Sequence, residues 1–424
     1  MQKFISIEEA QKKSMAGKTV SLRGWVYRHR AGKDMIFIIL RDSSGTMQCT
    51  VSKEKPFFKD ADKLMMESSV KFTGKVKEDK RAPDGYELVV DKMEIVGHAE
   101  RFPIVKDQSP EFLRDMKHLW IRSRKITSIL KIRSQIFRAI HDFHHSRGFI
   151  EFHSPILTKE VCEGGSELFE VKHPRERLYL SQSWQLHAEA AIFGLEKIYT
   201  MTPAFRAEKS RTIRHLAEYW TAETEAAWME HEESLEFQED LILYIVKHVL
   251  KTCKKELKEL GRDTEELEKL KKPFRRMPYK EMIKILGKKW GHDITDKEER
   301  ALVEKMGGKP IFLTSFPRDM KAFYMKVDPK DPKTVLAADL LIPGVGEIIG
   351  GSERISDIKE LLESLKLFKL KKEDYQWYID IRRYGSAPHS GFGLGIERLV
   401  MWITGAEHVM DTIPFPRTMD RLKP

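Results

Sequence analysis

The most unusual feature of this chain is a residue that it lacks, because its 424 residues include no asparagine. Average amino-acid usage would give on the order of ten or more in this length. Avoidance of a heat-labile residue is one explanation, although nine glutamines and eighteen methionines remain. An artificial or reconstructed sequence is a second explanation, and the composition alone does not separate the two.

Two further scarcities narrow the class of protein. No apolar run approaches the length of a membrane span, and the N-terminal segment lacks the apolar region of a signal peptide, so we expect no membrane partner. The three cysteines, Cys49, Cys162 and Cys253, are too far apart for a disulfide framework or a metal-ligand spacing, which predicts a reducing, cytoplasmic location. The net charge of +10 fits a polyanionic partner.

The apolar content of 41% excludes global disorder, and the length favours two or three domains. Residues 18–100 alternate apolar and polar positions in five short segments separated by polar turns. This pattern predicts a β-sandwich or a five-stranded OB barrel. The predicted domains are a β domain at 1–102, a linker at 103–120 and a larger domain at 121–424.

The larger domain opens with a predicted helix over 121–147, in which apolar residues recur at helical spacing and Gly148 is placed to end the helix. His141, His144 and His145 lie on this helix at a spacing that permits metal binding. No other ligand is evident nearby in the sequence, so we interpret them as a solvated or partner-facing surface. Beyond the helix, strands and helices follow without a βαβ rhythm, which predicts a mostly antiparallel α+β domain.

The most informative segment reads FRAE, then RHL after a short basic loop. Two strands joined by this loop would place Arg206, Arg214 and His215 around one anion. A guanidinium group can hold a carboxylate or phosphate through two hydrogen bonds. Tyr219 offers a flat face for a purine. The alternative is an Arg–Glu salt bridge on a surface hairpin.

Two other segments could complete a nucleotide site. In GFGLGIER, alternate glycines allow a close approach to the backbone, and Arg398 supplies a second guanidinium group for a triphosphate. In ADLLIPGVGEIIGG, Asp339 and Glu347 flank a Pro-Gly turn and could meet on paired strands. Beside a triphosphate they would coordinate Mg²⁺. The alternative for this pair is two unrelated carboxylates on a turn and a strand edge.

Together these segments resemble the signature motifs of class II aminoacyl-tRNA synthetases. GFIEFHSP at 148–155 is similar to motif 1, FRAE with RHL to motif 2, and GFGLGIER to motif 3. An OB domain ahead of the catalytic domain marks the subclass that charges aspartate, asparagine and lysine. Within that subclass, the chain resembles the archaeal type of asparaginyl-tRNA synthetase in the segments LSQSWQLHAEA, EIIGGSERISD and PFPRTMDRL.

The resemblance implies an N-terminal five-stranded OB barrel for anticodon binding, followed by a catalytic domain with a six-stranded antiparallel sheet flanked by helices. It also implies a homodimer. In the implied reaction, L-asparagine attacks ATP to give an adenylate and pyrophosphate, and the acyl group then passes to tRNA(Asn). Such catalysis rests on positioning and electrostatics more than on acid–base chemistry.

The resemblance also implies roles for individual residues. The implied catalytic residues are Arg206, Arg398 and Glu347. The implied ATP-binding residues are Arg206, Glu208, Arg214, His215, Leu216, Tyr219, Glu347, Gly395, Ile396, Glu397 and Arg398. The implied amino-acid-binding residues are Glu163, Gln185, Arg206, Glu223, Gly350 and Arg354. The implied Mg²⁺ ligands are Asp339 and Glu347. The implied anticodon-binding residues are Arg28, Arg30, Phe37 and Gln48, with a core position as the alternative for Phe37.

The choice between asparagine and aspartate depends on three positions. Arg354 matches an arginine that aspartate enzymes use to hold the substrate carboxylate, but Ala188 stands where they carry a lysine. Glu223 stands where they carry an aspartate, and it could accept a hydrogen bond from the amide nitrogen of asparagine. An aspartate substrate would set carboxylate against carboxylate, which favours asparagine.

Other functions remain open at this point. An aspartyl-tRNA synthetase that charges one or two tRNAs is one alternative, and a non-catalytic RNA-binding paralogue is another. An amide-forming asparagine synthetase of the same fold is disfavoured by the complete anticodon-like barrel. If asparagine is the substrate, the missing residue gains a third explanation, because the enzyme could then be translated while charged tRNA(Asn) is scarce.

Overall fold

The structure is a computed structural model in which the chain forms two compact units, Met1–Ser109 and Pro110–Pro424. The boundary between them lies inside the segment 103–120 that was predicted as a linker. No helix in the described part of the chain is both long and apolar enough to cross a membrane. The residues that the structure describes are 3–159, 161–162, 167–208 and 212–424.

The first unit is a closed β-barrel with the strand order β1-β2-β3-β5-β4. Its elements are α1 (Ile7–Ala10), β1 (Thr19–Ala31), β2 (Met35–Arg41), β3 (Thr46–Ser52), α2 (Phe58–Asp62), β4 (Ser69–Glu78) and β5 (Tyr86–Gly97). Buried and exposed side chains alternate along the strands. In β2, Ile36, Ile38 and Leu40 are buried in the barrel, while Phe37 points outward. The predicted five-stranded OB barrel is confirmed.

The second unit is built on a large sheet with helices around it. Its strands are β6 (Ile150–Glu151), β7 (Leu157–Thr158), β8 (Glu170–Lys172), β9 (Arg177–Leu180), β10 (Lys197–Phe205), β11 (Glu218–Ala227), β12 (Arg275–Pro278), β13 (Ile311–Pro317), β14 (Val327–Asp328), β15 (Asp331–Ile342), β16 (Gly346–Glu353) and β17 (His389–Gly395). Its helices are α3 (Pro110–Asp115), α4 (Lys117–Trp120), α5 (Arg124–His145), α6 (Gln185–Leu195), α7 (His231–Thr252), α8 (Lys254–Glu259), α9 (Glu265–Glu268), α10 (Tyr279–Leu286), α11 (Asp296–Lys305), α12 (Ile358–Leu367), α13 (Gln376–Arg383) and α14 (Ile396–Thr404).

Among the described residues, the large sheet has the order β12-β13-β15-β16-β17-β11-β10-β6, with β14 paired to β15. The six central strands, from β13 to β10, are antiparallel to their neighbours, as predicted. The sheet as a whole is mixed, because β12 and β6 add parallel pairs at its two edges. A parallel pair needs a long crossover connection rather than a hairpin, and short-range sequence patterns do not reveal such pairing.

The long helix α5 packs against α7 and α14. Ser123 caps its N-terminus by accepting a hydrogen bond from the backbone of Ile126 at 3.3 Å, and Gly148 follows the helix with a φ of +76°. The interpretation of the histidines as a surface is wrong for His144, which is completely buried. Its Nε2 lies 2.9 Å from the hydroxyl of Thr224 because this turn of α5 packs directly against β11.

Candidate active site

A cavity of about 640 Å³ lies in the second unit beside the central strands of the sheet. Nearly all residues predicted for ATP, magnesium and amino-acid binding line it: Gln185, Arg206, Glu208, Arg214, His215, Leu216, Tyr219, Glu223, Asp339, Glu347, Gly350, Arg354, Gly395, Glu397 and Arg398. Ile396 is fully buried in the first turn of α14 and is not part of the lining. Glu163 lies outside the described residues.

Two arginines are held by carboxylates at one end of the cavity. Nη1 of Arg398 donates to the backbone oxygen of Glu347 at 3.0 Å and to its Oε2 at 3.2 Å. Nη1 of Arg206 lies 3.7 Å from Oε1 of Glu208, and its guanidinium carbon is 5.9 Å from the centre of the Tyr219 ring. The Arg–Glu pair proposed as a surface hairpin therefore does form, but it faces into the cavity.

Arg214 is fixed by a residue that the sequence analysis missed. Both terminal nitrogens of Arg214 donate to the carboxylate of Glu299 in α11, with an Nη2–Oε1 distance of 2.9 Å. The same carboxylate accepts a hydrogen bond from the backbone of Glu347 at 2.8 Å. Glu299 thus ties the basic loop to β16, which keeps Arg214 and Glu347 on one wall of the cavity.

His215 is neutral at physiological pH. Its Nδ1 pairs with the hydroxyl of Thr212, and its Nε2 lies 3.5 Å from Oε2 of Glu208. Burial, together with the charges of Arg398 and Arg214, lowers the pKa of His215 to about 4. We infer that the ring acts as a hydrogen-bonding group in the free protein rather than as an additional cation.

Asp339 and Glu347 meet across β15 and β16, as their separation by a Pro-Gly turn predicted. Gly350, the register partner of Asp339, leaves a gap between them. A Cβ atom at Gly350 would lie 3.3 Å from Oε1 of Glu347 and 3.5 Å from Oδ1 of Asp339. Nζ of Lys321 donates to Oδ2 of Asp339 at 2.6 Å.

The two carboxyl groups respond differently to this environment. Burial and the charge of Glu347 raise the pKa of Asp339 to about 6, although Lys321 opposes the shift. Burial would also raise the pKa of Glu347, but Arg398 and Arg214 outweigh it and lower this pKa to about 2. Two adjacent carboxylates with one elevated pKa are a favourable place for a cation, because a cation would relieve their mutual repulsion.

The other end of the cavity is organised around Arg354, which is almost completely buried. Its Nε and Nη2 donate to Glu225 at 3.1 and 3.0 Å, and Nη2 also donates to Oε1 of Gln185 at 2.6 Å. Nη1 donates to the hydroxyl of Ser352 at 2.7 Å. Although burial opposes it, the charge of Glu225 raises the pKa of Arg354. Within the described part of the chain, these contacts use four of the five N–H groups of the guanidinium, which leaves one Nη1 hydrogen for a substrate.

Gly391 makes the pairing of Arg354 with Glu225 possible. A Cβ atom at Gly391, on β17 opposite Glu225, would lie 1.8 Å from Oε2 of that carboxylate. Glycine is therefore required here by space rather than by backbone angles. This explains one of the alternate glycines that the sequence analysis assigned to close approach of the backbone.

Glu223 lies two residues before Glu225 on β11, so both side chains point to the same face of the sheet. The hydroxyl of Ser183 donates to Oε2 of Glu223 at 2.5 Å, which fixes the carboxylate at the cavity wall. Ala188 does not line the cavity, since it packs in a buried apolar cluster with Trp184 and Ile192. At the position where aspartate enzymes carry a lysine, this chain therefore has an apolar contact beneath the surface and no opening in the cavity wall.

Glu397, predicted to bind ATP, contacts both Trp220 and Arg133. Its Oε2 accepts a hydrogen bond from the backbone of Trp220 at 2.9 Å, and its Oε1 lies 2.7 Å from Nη1 of Arg133. Burial raises the pKa of Glu397 even though Arg133 opposes the shift. In this structure the carboxylate joins α14 to β11 and α5.

The residues missed by the sequence analysis are Ser183, Glu225, Glu299 and Lys321. Glu225 carried a detectable signal, because two glutamates at i and i+2 in an otherwise buried strand share one face. Glu299 and Lys321 carried none. They come from a charged helix and a loop that reach the cavity only through tertiary packing.

The four predicted anticodon residues lie on the outside of the barrel in the first unit. In the register of β1, β2 and β3, Arg28 and Gln48 both pair with Ile39, and Arg30 pairs with Phe37. The side chains therefore form two adjacent rows. Phe37 is 36% exposed, which excludes the alternative that it belongs to the core. Nε2 of Gln48 donates to Glu87 at 3.1 Å.

Comparison with known proteins agrees with this architecture. Residues 109–419 match the family described as tRNA synthetases class II (D, K and N), and residues 20–96 match the family described as OB-fold nucleic acid binding domain. The chain is 47% identical to an asparagine–tRNA ligase of Thermoplasma acidophilum, over 99% of this chain and 100% of that protein.

Solved structures give the same result. The structure of asparaginyl-tRNA synthetase from Pyrococcus horikoshii complexed with asparaginyl-adenylate matches with a TM-score of 0.97 and 44% identity over all of both chains. That of the Entamoeba histolytica enzyme in complex with asparaginyl-adenylate matches with a TM-score of 0.91 and 35% identity, also over all of both chains.

The chain belongs to the class II aminoacyl-tRNA synthetases and, within that class, to the asparaginyl-tRNA synthetase family. Members of this class are ligases that use ATP to charge tRNA. The family resemblance inferred from the sequence motifs is thereby confirmed.

Proposed function

We propose that this protein activates L-asparagine with ATP and transfers the asparaginyl group to tRNA(Asn). The choice of amino acid rests on one observation: the cavity is lined both by Arg354, which has one N–H left to donate, and by Glu223, whose carboxylate is held in place by Ser183. One donor and one acceptor match the two ends of an amide. A carboxylate substrate would satisfy the donor but oppose the acceptor.

The energetic case follows from burial. Glu223 and Arg354 are both more than nine-tenths buried, so an unpaired polar group there costs roughly 1–3 kcal/mol, and more when it is charged. A discrimination of about 100-fold against aspartate requires ~2.7 kcal/mol. The mismatch between Glu223 and a second carboxylate is large enough to supply it.

The phosphate end supports the proposed role of ATP. Arg206 and Arg398 would hold the phosphates, with Arg214 and His215 beside them, and Tyr219 would offer its ring to the adenine. The arginines are oriented by carboxylates before substrate arrives, which lowers the cost of ordering them during the reaction. Holding the amino acid and ATP in one cavity supplies the positioning on which adenylate formation depends.

We assign Asp339 and Glu347 as the residues that would hold Mg²⁺. The fit is supported by the gap at Gly350, which a single Cβ atom would fill, and by oxygen donors of the kind that magnesium prefers. When bound, the ion would offset the negative charge of the triphosphate. Lys321 would have to release Asp339, and it already lies at the cavity wall, where it can contact an anionic group instead.

The first unit is proposed as the anticodon-binding domain. Phe37 gives an exposed ring on which a base can stack, and Arg28, Arg30 and Gln48 surround it with donors. Stacking of a base on an aromatic side chain is worth ~1–3 kcal/mol. The domain boundaries proposed from the sequence, with a linker at 103–120, fit this division of labour.

A homodimer is proposed from the segment that resembles motif 1. Ile150, Ile156 and Leu157 are all more than 40% exposed in the single chain. Clustered apolar side chains on and beyond an edge strand are typical of an interface between copies of a chain.

The decisive test is ATP–pyrophosphate exchange with asparagine, aspartate and lysine measured side by side. We expect exchange with asparagine, and a rate with aspartate that is lower by at least about 100-fold. Comparable exchange with aspartate would replace the proposal with an aspartyl-tRNA synthetase. Absence of exchange with every amino acid would leave an RNA-binding paralogue.

A further inference from the structure

A buried hydrogen-bond network adjoins the amino-acid end of the cavity. At its centre is Glu189, which lies on α6 one turn after Gln185; its side chain is fully buried, whereas Gln185 lines the cavity. Oε1 of Glu189 accepts a hydrogen bond from Nε2 of Gln185 at 2.8 Å. Oε1 of Gln185 accepts one from Nη2 of Arg354 at 2.6 Å. Gln185 therefore connects a buried carboxylate to the arginine of the amino-acid site.

The other side of Glu189 meets donors from α13 and β17. Nη2 of Arg382 donates to Oε2 of Glu189, and Nε2 of His389 lies 3.0 Å from the same oxygen. The hydroxyl of Tyr378 lies 2.7 Å from both carboxylate oxygens, and its own oxygen accepts from Arg382 at 3.0 Å, so its hydrogen can go to Glu189. Burial raises the pKa of Glu189, but Arg382 and His389 outweigh it and lower this pKa. Glu189 is therefore an ionised carboxylate, which only accepts hydrogen bonds.

These contacts determine the orientation of the Gln185 amide. A carboxylate only accepts and a guanidinium only donates, so Gln185 must turn its NH₂ group toward Glu189 and its oxygen toward Arg354. The flipped amide would set donor against donor at Arg354 and acceptor against acceptor at Glu189. The charge on Glu189 thus decides which atom of Gln185 faces Arg354.

We propose that Glu189 is a positioning residue for amino-acid binding, which acts on Arg354 through the orientation of Gln185. The inference rests on the proposed function, in which Arg354 and Gln185 bind asparagine. Nη2 of Arg354 is held between Gln185 and Glu225, so its remaining N–H keeps a fixed direction only while both acceptors are in place. The alternative is a network that only joins α6 to α13 and β17.

Glu189→Gln tests the proposal because it keeps the shape of the side chain and removes its charge. Arg382 and His389 would claim the one remaining oxygen, so the new NH₂ group would face Gln185 and force its amide to flip toward Arg354. In pyrophosphate exchange we expect the KM for asparagine to rise by about tenfold or more. The kcat and the KM for ATP should stay nearly unchanged, because only amino-acid binding is affected.

Reversing the two residue types should restore binding. In the double variant Gln185→Glu with Glu189→Gln, the carboxylate at position 185 accepts from Arg354 and from the amide at position 189, and the buried charge is kept. We expect its KM for asparagine to lie within about threefold of the wild-type value, although each single variant is impaired; two independent defects would multiply instead.

Glu239→Gln is the matched control for the loss of a buried charge. Glu239 lies on α7 and is 1% exposed, and its carboxylate accepts from Arg276 and from the backbone of Phe274 at 2.6 Å. Like Glu189→Gln, this change leaves a buried arginine contact without its carboxylate. We expect it to lower the urea midpoint without changing the KM for asparagine.

A crystal structure of Glu189→Gln gives a readout that does not depend on activity, since Arg354 and Gln185 should separate beyond about 3.5 Å. A wild type without asparagine exchange would refute the proposed function, and this separation would still test the network. An unchanged KM for asparagine in Glu189→Gln, an unchanged contact, or a double variant no better than Glu189→Gln would overturn the proposal. If Glu189→Gln does not fold, comparison of Gln185→Glu with the double variant provides the same test.

Discussion

At the scale of single residues, the proposed choice between asparagine and aspartate depends on the carboxylate of Glu223. Its carboxylate accepts a hydrogen bond from Ser183, and both Glu223 and Arg354 line the cavity. In the proposed function, the side chain that selects for an amide nitrogen would also repel a carboxylate. Specificity of this proposed kind would rest on a charge that disfavours the wrong substrate as much as on contacts to the right one.

We expect Glu223→Gln to narrow the preference for asparagine over aspartate by about tenfold or more. The change keeps the size of the side chain but removes its charge, and the new amide can donate to a carboxylate. The ratio of kcat/KM values in pyrophosphate exchange measures the effect. Glu208→Gln is the matched control, because it removes a charge at the phosphate end of the same cavity. An unchanged ratio in Glu223→Gln would show that discrimination lies elsewhere.

His144 gives a prediction about stability and pH. Burial lowers its pKa to about 4, against about 6.5 in an unfolded chain. Between these values only the unfolded state binds the proton, so stability rises with pH through this window and is lost as pH falls. From pH 7 to pH 5 the loss is about 2 kcal/mol.

Replacement by glutamine tests this account. His144→Gln removes the titrating group and should flatten the dependence of the urea midpoint on pH between 7 and 5, although it costs some stability at pH 7. Tryptophan fluorescence of the unfolding transition measures both variants. An equally steep dependence in His144→Gln would assign the effect to other groups. His118, which is not buried, provides the control substitution.

The sequence predicted those residues of the candidate site that stand in local motifs. Arg206, Glu347 and Arg398 stand in segments whose spacing fixes their place, and all three line the cavity. The partners that fix arginines were not predictable. Glu299 is 85 residues from Arg214, and Glu225 is 129 residues from Arg354. Such pairings depend on the order of strands, which single-sequence patterns do not contain.

At the scale of elements, β2 shows how alternation places chemistry on a surface. Ile36 and Ile38 are fully buried, so Phe37 between them must point outward. The strand was predictable, but its face was not, because alternation is the same whichever side is buried. The helix predicted at 121–147 is observed as Arg124–His145, since its apolar period and its cap are both local. The parallel edge strands β6 and β12 depend on long connections and could not be inferred.

We expect Phe37→Ala to reduce kcat/KM for tRNA charging by roughly 5- to 150-fold, the equivalent of ~1–3 kcal/mol of stacking. Amino-acid activation should stay nearly unchanged, because the substituted residue and the cavity belong to different units. Charging and pyrophosphate exchange are measured on the same preparation. Lys92→Ala, an exposed change on β5, is the control. Equal losses in both assays would mean that Phe37 has a structural role.

At the scale of the whole molecule, the first question is how many copies assemble. Leu157 is 50% exposed, so Leu157→Glu should cost little in an isolated chain but disrupt an interface in which it is buried. We expect sedimentation at micromolar concentration to show a dimer for the wild type and a monomer for the variant. Leu422→Glu alters an even more exposed leucine, at 71%, and should leave the dimer intact. A monomeric wild type would contradict the proposal.

The missing asparagine is also a property of the whole chain, and the structure shows where one would fit. Lys369 follows helix α12 with a φ of +56°, and the next backbone N–H closes the helix by donating from Leu370 to Leu365 at 2.9 Å. Glycine and asparagine are the residues that favour this left-handed position. Lysine therefore occupies a site at which asparagine would be less strained, so the fold does not require the absence.

We expect Lys369→Asn to leave the free energy of unfolding unchanged or to raise it by about 0.5 kcal/mol, because asparagine pays less for a positive φ. Its half-life during heating should match that of the wild type. Asp84→Asn, which places asparagine before Gly85 at another positive φ, tests the heat-lability explanation separately. Faster inactivation of both variants would favour the heat-lability explanation.

If both variants remain stable, a cell-free translation system starved of asparagine should still produce the wild type but should stall on either variant. Only the supply of charged tRNA(Asn) would then distinguish the chains, as expected if the enzyme is encoded without the residue that it supplies.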